Sequence, residues 1–302
     1  MNGSRKGNYS LTVLMTVHNG SRYLRTGIES ILQQTFSDFR FLVVDDGSTD
    51  DSREVVRSYK DSRVELLCLD RNVGQTAALN IGVNHALTPW IARMDADDYS
   101  APTRLEEQMK VLEADSSLSC VGTFGWEFRE DPAVVEGIAP RPERDAEIKH
   151  ALPYTCPIIH GSIVVSKKAL LDVGAYDERY RYLADWEMYE RLLVDRRAVN
   201  IPIALLGIRL HSDQNSFTPA AMDEFIELYC RRLSQGMLSR ESKAILRGAL
   251  TQRLINAGYS CAQKGAYGTS LACFVKALRV APDLMVKKGL RKCGRLALHV
   301  AK

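Results

Sequence analysis

The chain has 302 residues, room for one large α/β unit and an appendage. Its 40 Lys and Arg against 37 Asp and Glu leave a net charge of +3, with concentrated positive charge only in the C-terminal tail and no recognition motif beside it, which argues against nucleic acid as a partner. No early apolar run reaches the roughly 18 residues of a membrane span, residues 1–10 lack a signal-peptide core, and seven cysteines without CxxC spacing fit reduced thiols, so a cytoplasmic protein is expected.

Leu11–Val17 is β-rich and nearly all apolar, then Asn19-Gly20-Ser21 breaks it, which predicts a first strand. Leu24, Ile28, Ile31 and Leu32 recur as the stripe of an amphipathic helix that Ser21 is placed to cap. A second strand over residues 39–44 ends in an acceptor-rich turn, Asp45-Asp46-Gly47-Ser48-Thr49-Asp50. A helix over 53–59, a strand over 64–69, a helix over 76–86 and a strand over 90–94 continue the alternation. Strands apolar on both faces that alternate with helices belong to a mainly parallel sheet with helices on both faces, an α/β fold. Ser216-Phe217-Thr218-Pro219 punctuates the chain, and from Ala220 it reads as helices, so two domains are expected, 1–215 and 216–302.

In such sheets, ligands bind in the crevice beyond the carboxyl ends of the strands. Thr16-Val17-His18-Asn19, Asp45-Asp46 and Asp95-Ala96-Asp97-Asp98 each end a predicted strand, so three polar clusters should converge on one crevice. Three carboxylates within four positions repel one another unless solvent, partners or a hard cation compensates. Alone they would read as a solvated acidic turn; with Arg71 and Arg93 alongside, they suit a nucleotide whose diphosphate is neutralised by a metal.

Several ordered blocks carry a family resemblance. They are Val13-Leu14-Met15-Thr16-Val17-His18-Asn19, Ser30-Ile31-Leu32-Gln33-Gln34-Thr35-Phe36, Val43-Val44-Asp45-Asp46-Gly47-Ser48, Arg71-Asn72-Val73-Gly74, Met94-Asp95-Ala96-Asp97-Asp98, His160-Gly161-Ser162, Gly174-Ala175-Tyr176-Asp177 and Ala184-Asp185-Trp186-Glu187. Over roughly residues 10 to 215 the chain resembles the family 2 inverting glycosyltransferases with the Rossmann-like GT-A fold. The resemblance implies a nucleotide-sugar donor, preferentially a UDP-sugar, and a glycan or lipid-linked acceptor in surface polysaccharide or glycolipid synthesis. It implies Asp46 at the nucleobase, with Thr16, His18, Asn19, Arg71 and Asp95 also on the nucleotide. Asp95 and Asp97 match the metal motif for Mn2+ or Mg2+, with Asp97 the preferred direct ligand and Asp98 able to share the task. Asp185 matches the catalytic base, although Ala184 stands where most relatives carry Glu. His18 departs from the usual Tyr at the end of the first block. His211 matches an Arg-x-His segment and would complete the metal coordination or bind phosphate; the plainer reading is a loop histidine.

The chemistry needs these parts for its own reasons. Departure of a nucleoside diphosphate leaves negative charge that a divalent cation stabilises, and a sugar hydroxyl becomes a nucleophile when a positioned carboxylate takes its proton. One attack on the opposite face inverts the anomeric carbon, so no second nucleophilic carboxylate is required. Without the resemblance, Asp185 would read as a surface acid on a helix beside Tyr182, Trp186 and Tyr189, and His160 as a residue satisfying a buried turn. Two other classes compete: a nucleotidyltransferase, which should open with a Gly-rich basic phosphate loop absent here, and an inactive scaffold on the same fold, which should have lost the metal acids or Asp185.

The C-terminal region holds two further expectations. Gly258, Gly265, Tyr267, Phe274, Ala277 and Pro282 come close to the spacing of one tetratricopeptide-type helix pair, but a single copy makes a plain helical hairpin the better reading. From Val286 the chain places Lys287, Lys288, Arg291, Lys292 and Arg295 opposite Val286, Leu290, Cys293, Ala297 and Val300. Such a tail is either a solvated terminus or a basic helix making peripheral contact with the inner face of an anionic membrane.

Overall fold

The computed structural model describes residues 9–211, 219–234 and a set of helical positions between 244 and 277. It divides into two compact units, Met1–Asp213 and Gln214–Lys302. The basic stretch from Val286, with Gly265, Tyr267 and Pro282, lies outside the described residues.

In the first unit, β1 (Leu11–Val17), β2 (Phe39–Asp45), β3 (Val64–Cys68) and β4 (Trp90–Asp95) run parallel in the order β3-β2-β1-β4. They are connected by α1 (Ser21–Leu32), α2 (Ser52–Ser58) and α3 (Gln75–His85). Each falls within about a residue of its sequence-based bounds, as apolar runs cut by Gly, Asn and Asp should. The register pairs Val17 with Asp45 and Thr16 with Asp95, so the carboxyl ends of β1, β2 and β4 are level.

Helices cover both faces. A Cβ on Gly27 of α1 would meet Met15, whereas one on Gly82 of α3 would lie 2.3 Å from Leu14. Successive strand residues point to opposite faces, so α1 and α3 pack on opposite sides of β1. Leu24, Ile28 and Ile31 are fully buried against Leu11, Val13 and Met15, each contributing roughly 1.5–3 kcal/mol. Ser21 is not the cap: Gly20 holds that position, Ser21 is the first helical residue, and its N–H donates to Asp50 Oδ2 at 3.0 Å.

The second half of the sheet comprises β5 (Tyr99–Ser100), β6 (Leu118–Phe128), β7 (Gly137–Ala139), β8 (Val164–Ser166) and β9 (Arg197–Arg209), in the order β4-β8-β6-β9-β5 with β7 on β6. Here β8 is antiparallel to β4 and β6, and β9 is parallel to β6 through bulges near Phe124. The intervening helices are α4 (Arg104–Ala114), α5 (Asp145–Ala151), α6 (Lys167–Asp172) and α7 (Ala184–Leu192). Because β9 also pairs with β5, the strand that begins just after Asp98, the end of β9 is carried back to the acidic cluster.

Every assigned position among the described residues of the second unit is helical, beginning with α8 (Pro219–Ser234). Phe225 and Tyr229 stack one turn apart at 4.3 Å, and Gly258 lies where a Cβ would sit 2.8 Å from the Phe274 ring. No helix among the described residues is long and apolar enough to cross a membrane.

Candidate active site

The crevice is built at the level carboxyl ends of β1, β2 and β4. Beyond β2, Asp46 is 2 % exposed; its N–H donates to Val17 O, and its carboxylate accepts the N–H groups of Val73 at 2.7 Å and Gly74 at 2.9 Å. The carboxylate thereby fixes the loop that displays the exposed Arg71, while each oxygen keeps a lone pair for another donor. Gly47 is required in this turn. Its φ is +67°, and a Cβ there would lie 2.4 Å from the Arg71 carbonyl carbon and the Asn72 nitrogen.

Thr16 sits beside Asp95 in the register. His18 is exposed and donates from Nδ1 to the Asp46 carbonyl at 2.7 Å, which leaves Nε2 facing Asn19 Nδ2 at 3.3 Å. Asn19 has a left-handed backbone, φ 52°, and its amide oxygen takes the N–H of Thr49 at 2.8 Å. Its side chain therefore joins the β1 and β2 loops, a structural task not visible in the motif.

The acidic cluster separates into distinct roles. Arg93 is buried, 4 % exposed, and binds Asp95 Oδ2 from below, so it lies under the acids rather than facing a phosphate. Asp98 is also buried, 5 % exposed, and its Oδ1 accepts the Arg209 N–H at 3.0 Å. A Cβ on Gly161 would stand 3.2 Å from Asp95 Oδ2 and 3.3 Å from Asp98 Oδ2, so His160-Gly161-Ser162 closes over both carboxylates. Burial first, then the Asp97 charge, pushes the Asp95 carboxyl above its ordinary range against the pull of Arg93. Asp98 is pushed well above it by burial and by Asp95 and Asp97. These are signs of anionic crowding that a cation would relieve.

Asp97 is paired with a histidine instead. Its Oδ2 lies 2.8 Å from His211 Nε2, and Arg209, clamped between the Tyr23 and Phe128 rings, holds the Asp97 carbonyl at 2.8 Å. His211 is tilted against Tyr23, and its Nδ1 is buried without a partner among the described residues. A carboxylate and an imidazole 2.8 Å apart can face one ion, a mixed O/N donor pair open to a divalent cation. No group of three metal-binding side chains occurs among the described residues, so a cation here would complete its shell from the diphosphate and water.

Asp185 lies in the first turn of α7, half-buried, and its Oδ1 accepts the Trp186 N–H at 2.7 Å. It is not on a solvated face: Trp186, Met188, Tyr189 and Leu192 are all buried, and Trp186 Nε1 is anchored on the Leu152 carbonyl. Burial raises the carboxyl above its usual range, opposed by the Trp186 N–H, Arg93 and Cys156, a direction that suits a base near neutral pH. The Cys156 thiol is 3.6 Å from Asp185 Oδ2 and 3.4 Å from the Ile158 carbonyl, and burial keeps it protonated.

Several positioning residues were missed in the sequence because their partners are distant. The Asn80 amide pairs with both the N–H and the carbonyl of Tyr176, tying α3 to the segment before α7. Arg104 and Gln108 of α4 donate to the Gly161 and Ser162 carbonyls at 2.7 Å. His160 satisfies a buried turn through a 2.8 Å bond to Tyr176, and burial with the nearby Arg93 charge holds its pKa well below normal.

Comparison with known proteins now bears on this geometry. The family model described as glycosyl transferase family 2 matches residues 12–174, more than half of the chain. The chain belongs to glycosyltransferase family 2. It is similar to the putative glycosyltransferase EpsE of Bacillus subtilis, 32 % identical over 234 residues, 74 % of this chain and 82 % of that protein. It is also similar to the O-antigen biosynthesis glycosyltransferase WbnJ of Escherichia coli, 30 % identical over 212 residues, 67 % of this chain and 80 % of that protein. Among solved structures it resembles S. aureus TarS in complex with UDP-GlcNAc, with a TM-score of 0.66 at 17 % identity over 91 % of this chain and 84 % of that one. It likewise resembles the mannosyltransferase PcManGT from Pyrobaculum calidifontis in complex with GDP-Man and Mn2+, with a TM-score of 0.62 at 19 % identity over 97 % and 81 %. Those likenesses establish the GT-A fold, and family membership sets the nucleotidyltransferase reading aside.

Proposed function

We propose that this family 2 glycosyltransferase is metal-dependent and inverting, and moves a sugar from a UDP-sugar to a hydroxyl of a surface polysaccharide or glycolipid intermediate. The observation that supports the proposal is that Asp46 and the Asp97–His211 pair stand at the level carboxyl ends of β2 and β4, while Arg93, which binds Asp95, also acts on Asp185 of α7. The Mn2+ complex of the structural relative and the O-antigen role in the name of WbnJ support the metal and the acceptor class.

Asp46, Thr16, His18 and the Arg71 loop would receive the nucleotide, with a free Asp46 lone pair for an N–H of the base and the exposed His18 ring as a surface for it. Asp97 and His211 would hold the cation, with Asp95 behind them; when bound, it supplies charge stabilisation for the departing diphosphate. Asp185 takes the proton from the acceptor hydroxyl as oxygen attacks the anomeric carbon opposite the leaving group, so the sugar arrives inverted. Its raised pKa brings it closer to the hydroxyl proton it must accept, and α7 packing keeps it in place.

Calorimetry with UDP tests the donor half. Binding should be about tenfold or more tighter with Mn2+ than with a chelator, a gap of about 1.4 kcal/mol, and Asp97→Ala should erase the gap. Equal affinities in the native protein would remove the metal from the proposal.

A further inference from the structure

The charged groups of the crevice form a chain of neighbours that runs past the base. His211 binds Asp97, Asp97 acts on Asp95, Asp95 is tied to Arg93, the Arg93 charge reaches Asp185, and Asp185 meets Cys156. Next along this series comes Arg141, whose charge acts on the Cys156 thiol. The placement is fixed by a buried amide. Asn200 of β9, 3 % exposed, donates from Nδ2 to the Pro142 carbonyl at 2.6 Å and to the Pro157 carbonyl at 3.0 Å, and from its backbone to Glu143 O at 2.8 Å. The loop bearing Arg141 and the loop bearing Cys156 are therefore held side by side on one strand.

Arg141 lacks the anion that such a position calls for. Its Nε is buried without a partner, its Nη1 reaches only the Pro140 carbonyl at 2.9 Å, and no carboxylate among the described residues forms an ion pair with it. A half-buried guanidinium with an unmet donor is costly unless something arrives to meet it, and its planar fork favours a carboxylate or phosphate. In an inverting transfer, the acceptor approaches the anomeric carbon from the side opposite the diphosphate, and the base stands on the acceptor's side. Arg141 belongs to the loop that Asn200 holds against the Cys156 loop, and Cys156 is the thiol beside Asp185 Oδ2.

We propose that Arg141 receives an anionic group carried by the acceptor, either an acidic sugar of a glycan or a phosphate of a lipid carrier, so that the enzyme selects acidic over neutral acceptors. This rests on the glycosyltransferase mechanism above. The test uses the full chain saturated with UDP and Mg2+, with dissociation constants measured by ligand-observed NMR for two matched pairs: methyl glucuronide against methyl glucoside, and geranyl phosphate against geraniol. One anionic member should bind about tenfold or more tighter than its neutral counterpart, the scale of a charge-assisted bidentate contact. Preference for the glucuronide would assign the anion to the glycan; preference for geranyl phosphate would assign it to the carrier. Arg141→Gln should bring the pair to within about twofold, and Arg141→Lys, which keeps the charge, should retain part of the preference. Equal binding within both pairs by the native protein, or a preference that persists in Arg141→Gln, overturns the inference. Failure of UDP itself to bind in the same samples would instead refute the underlying mechanism.

Discussion

Replacing Gly47 by Ala perturbs the nucleotide wall through its backbone while leaving every side chain expected to meet the nucleotide chemically unchanged. The new Cβ must occupy a backbone with φ +67°, a left-handed conformation that costs an L-residue about 1–2 kcal/mol. It would also lie 2.4 Å from two backbone atoms of Arg71 and Asn72. Ordinary contact begins roughly 1 Å further out, and backbone cannot swing aside as a flexible side chain does. The loop must then withdraw, stretching the Val73 and Gly74 bonds to Asp46 from 2.7 and 2.9 Å past hydrogen-bonding range. Each charge-assisted bond contributes about 1.5–3 kcal/mol, and freed N–H groups regain water, so the lower figure applies and the total loss is about 4 kcal/mol. Urea unfolding should show that loss, amide exchange at Val73 and Gly74 should accelerate, and UDP affinity should fall. An unfolding free energy within about 1 kcal/mol of native, with both amides still protected, would refute the reasoning.

Two further substitutions probe the base and its surroundings. Cys156→Ala removes a donor to the ionised Asp185 carboxylate, so the Asp185 pKa should rise further and activity should be lost at higher pH as the solution is acidified. Cys156→Ser should restore the native profile; coincident acid limbs for all three proteins would show that the thiol does not act on the base. Asn80→Ala leaves the Tyr176 N–H and carbonyl without their shared partner and should cost about 1–3 kcal/mol of stability; an unchanged urea midpoint would place that segment under other control.

The parallel half of the fold was legible because its strands are apolar runs ended by Gly, Asn and Asp, and its helices carry a clear stripe. The second half was not. β9 contains Asn200, Pro202 and alternating stretches of exposure, and β6 is interrupted by Gly122, Gly125 and the bulges near Phe124, so neither has a period that stands out locally. The acids of the site were visible as a cluster, but their division of labour was not. Asp98 looks like its neighbours in sequence and is set apart by its burial and by the N–H of Arg209, a residue 111 positions away. Asn19 and Ser21 likewise take roles fixed by distant partners. Arg141 and Cys156 carry no motif at all; the nearness of their loops depends on Asn200 joining the two across β9.

The central claim is that Asp185 is the base of an inverting transfer. Time-resolved proton NMR of the nucleotide sugar that turns over with Mg2+, chosen from UDP-, dTDP-, GDP- and CMP-sugars, reads both rate and stereochemistry. The first product formed should carry the anomeric configuration opposite to the donor's, and Asp185→Asn should slow its appearance by about 100-fold or more while nucleotide affinity stays unchanged. A first product with retained configuration, or a near-native rate in Asp185→Asn, would contradict the account.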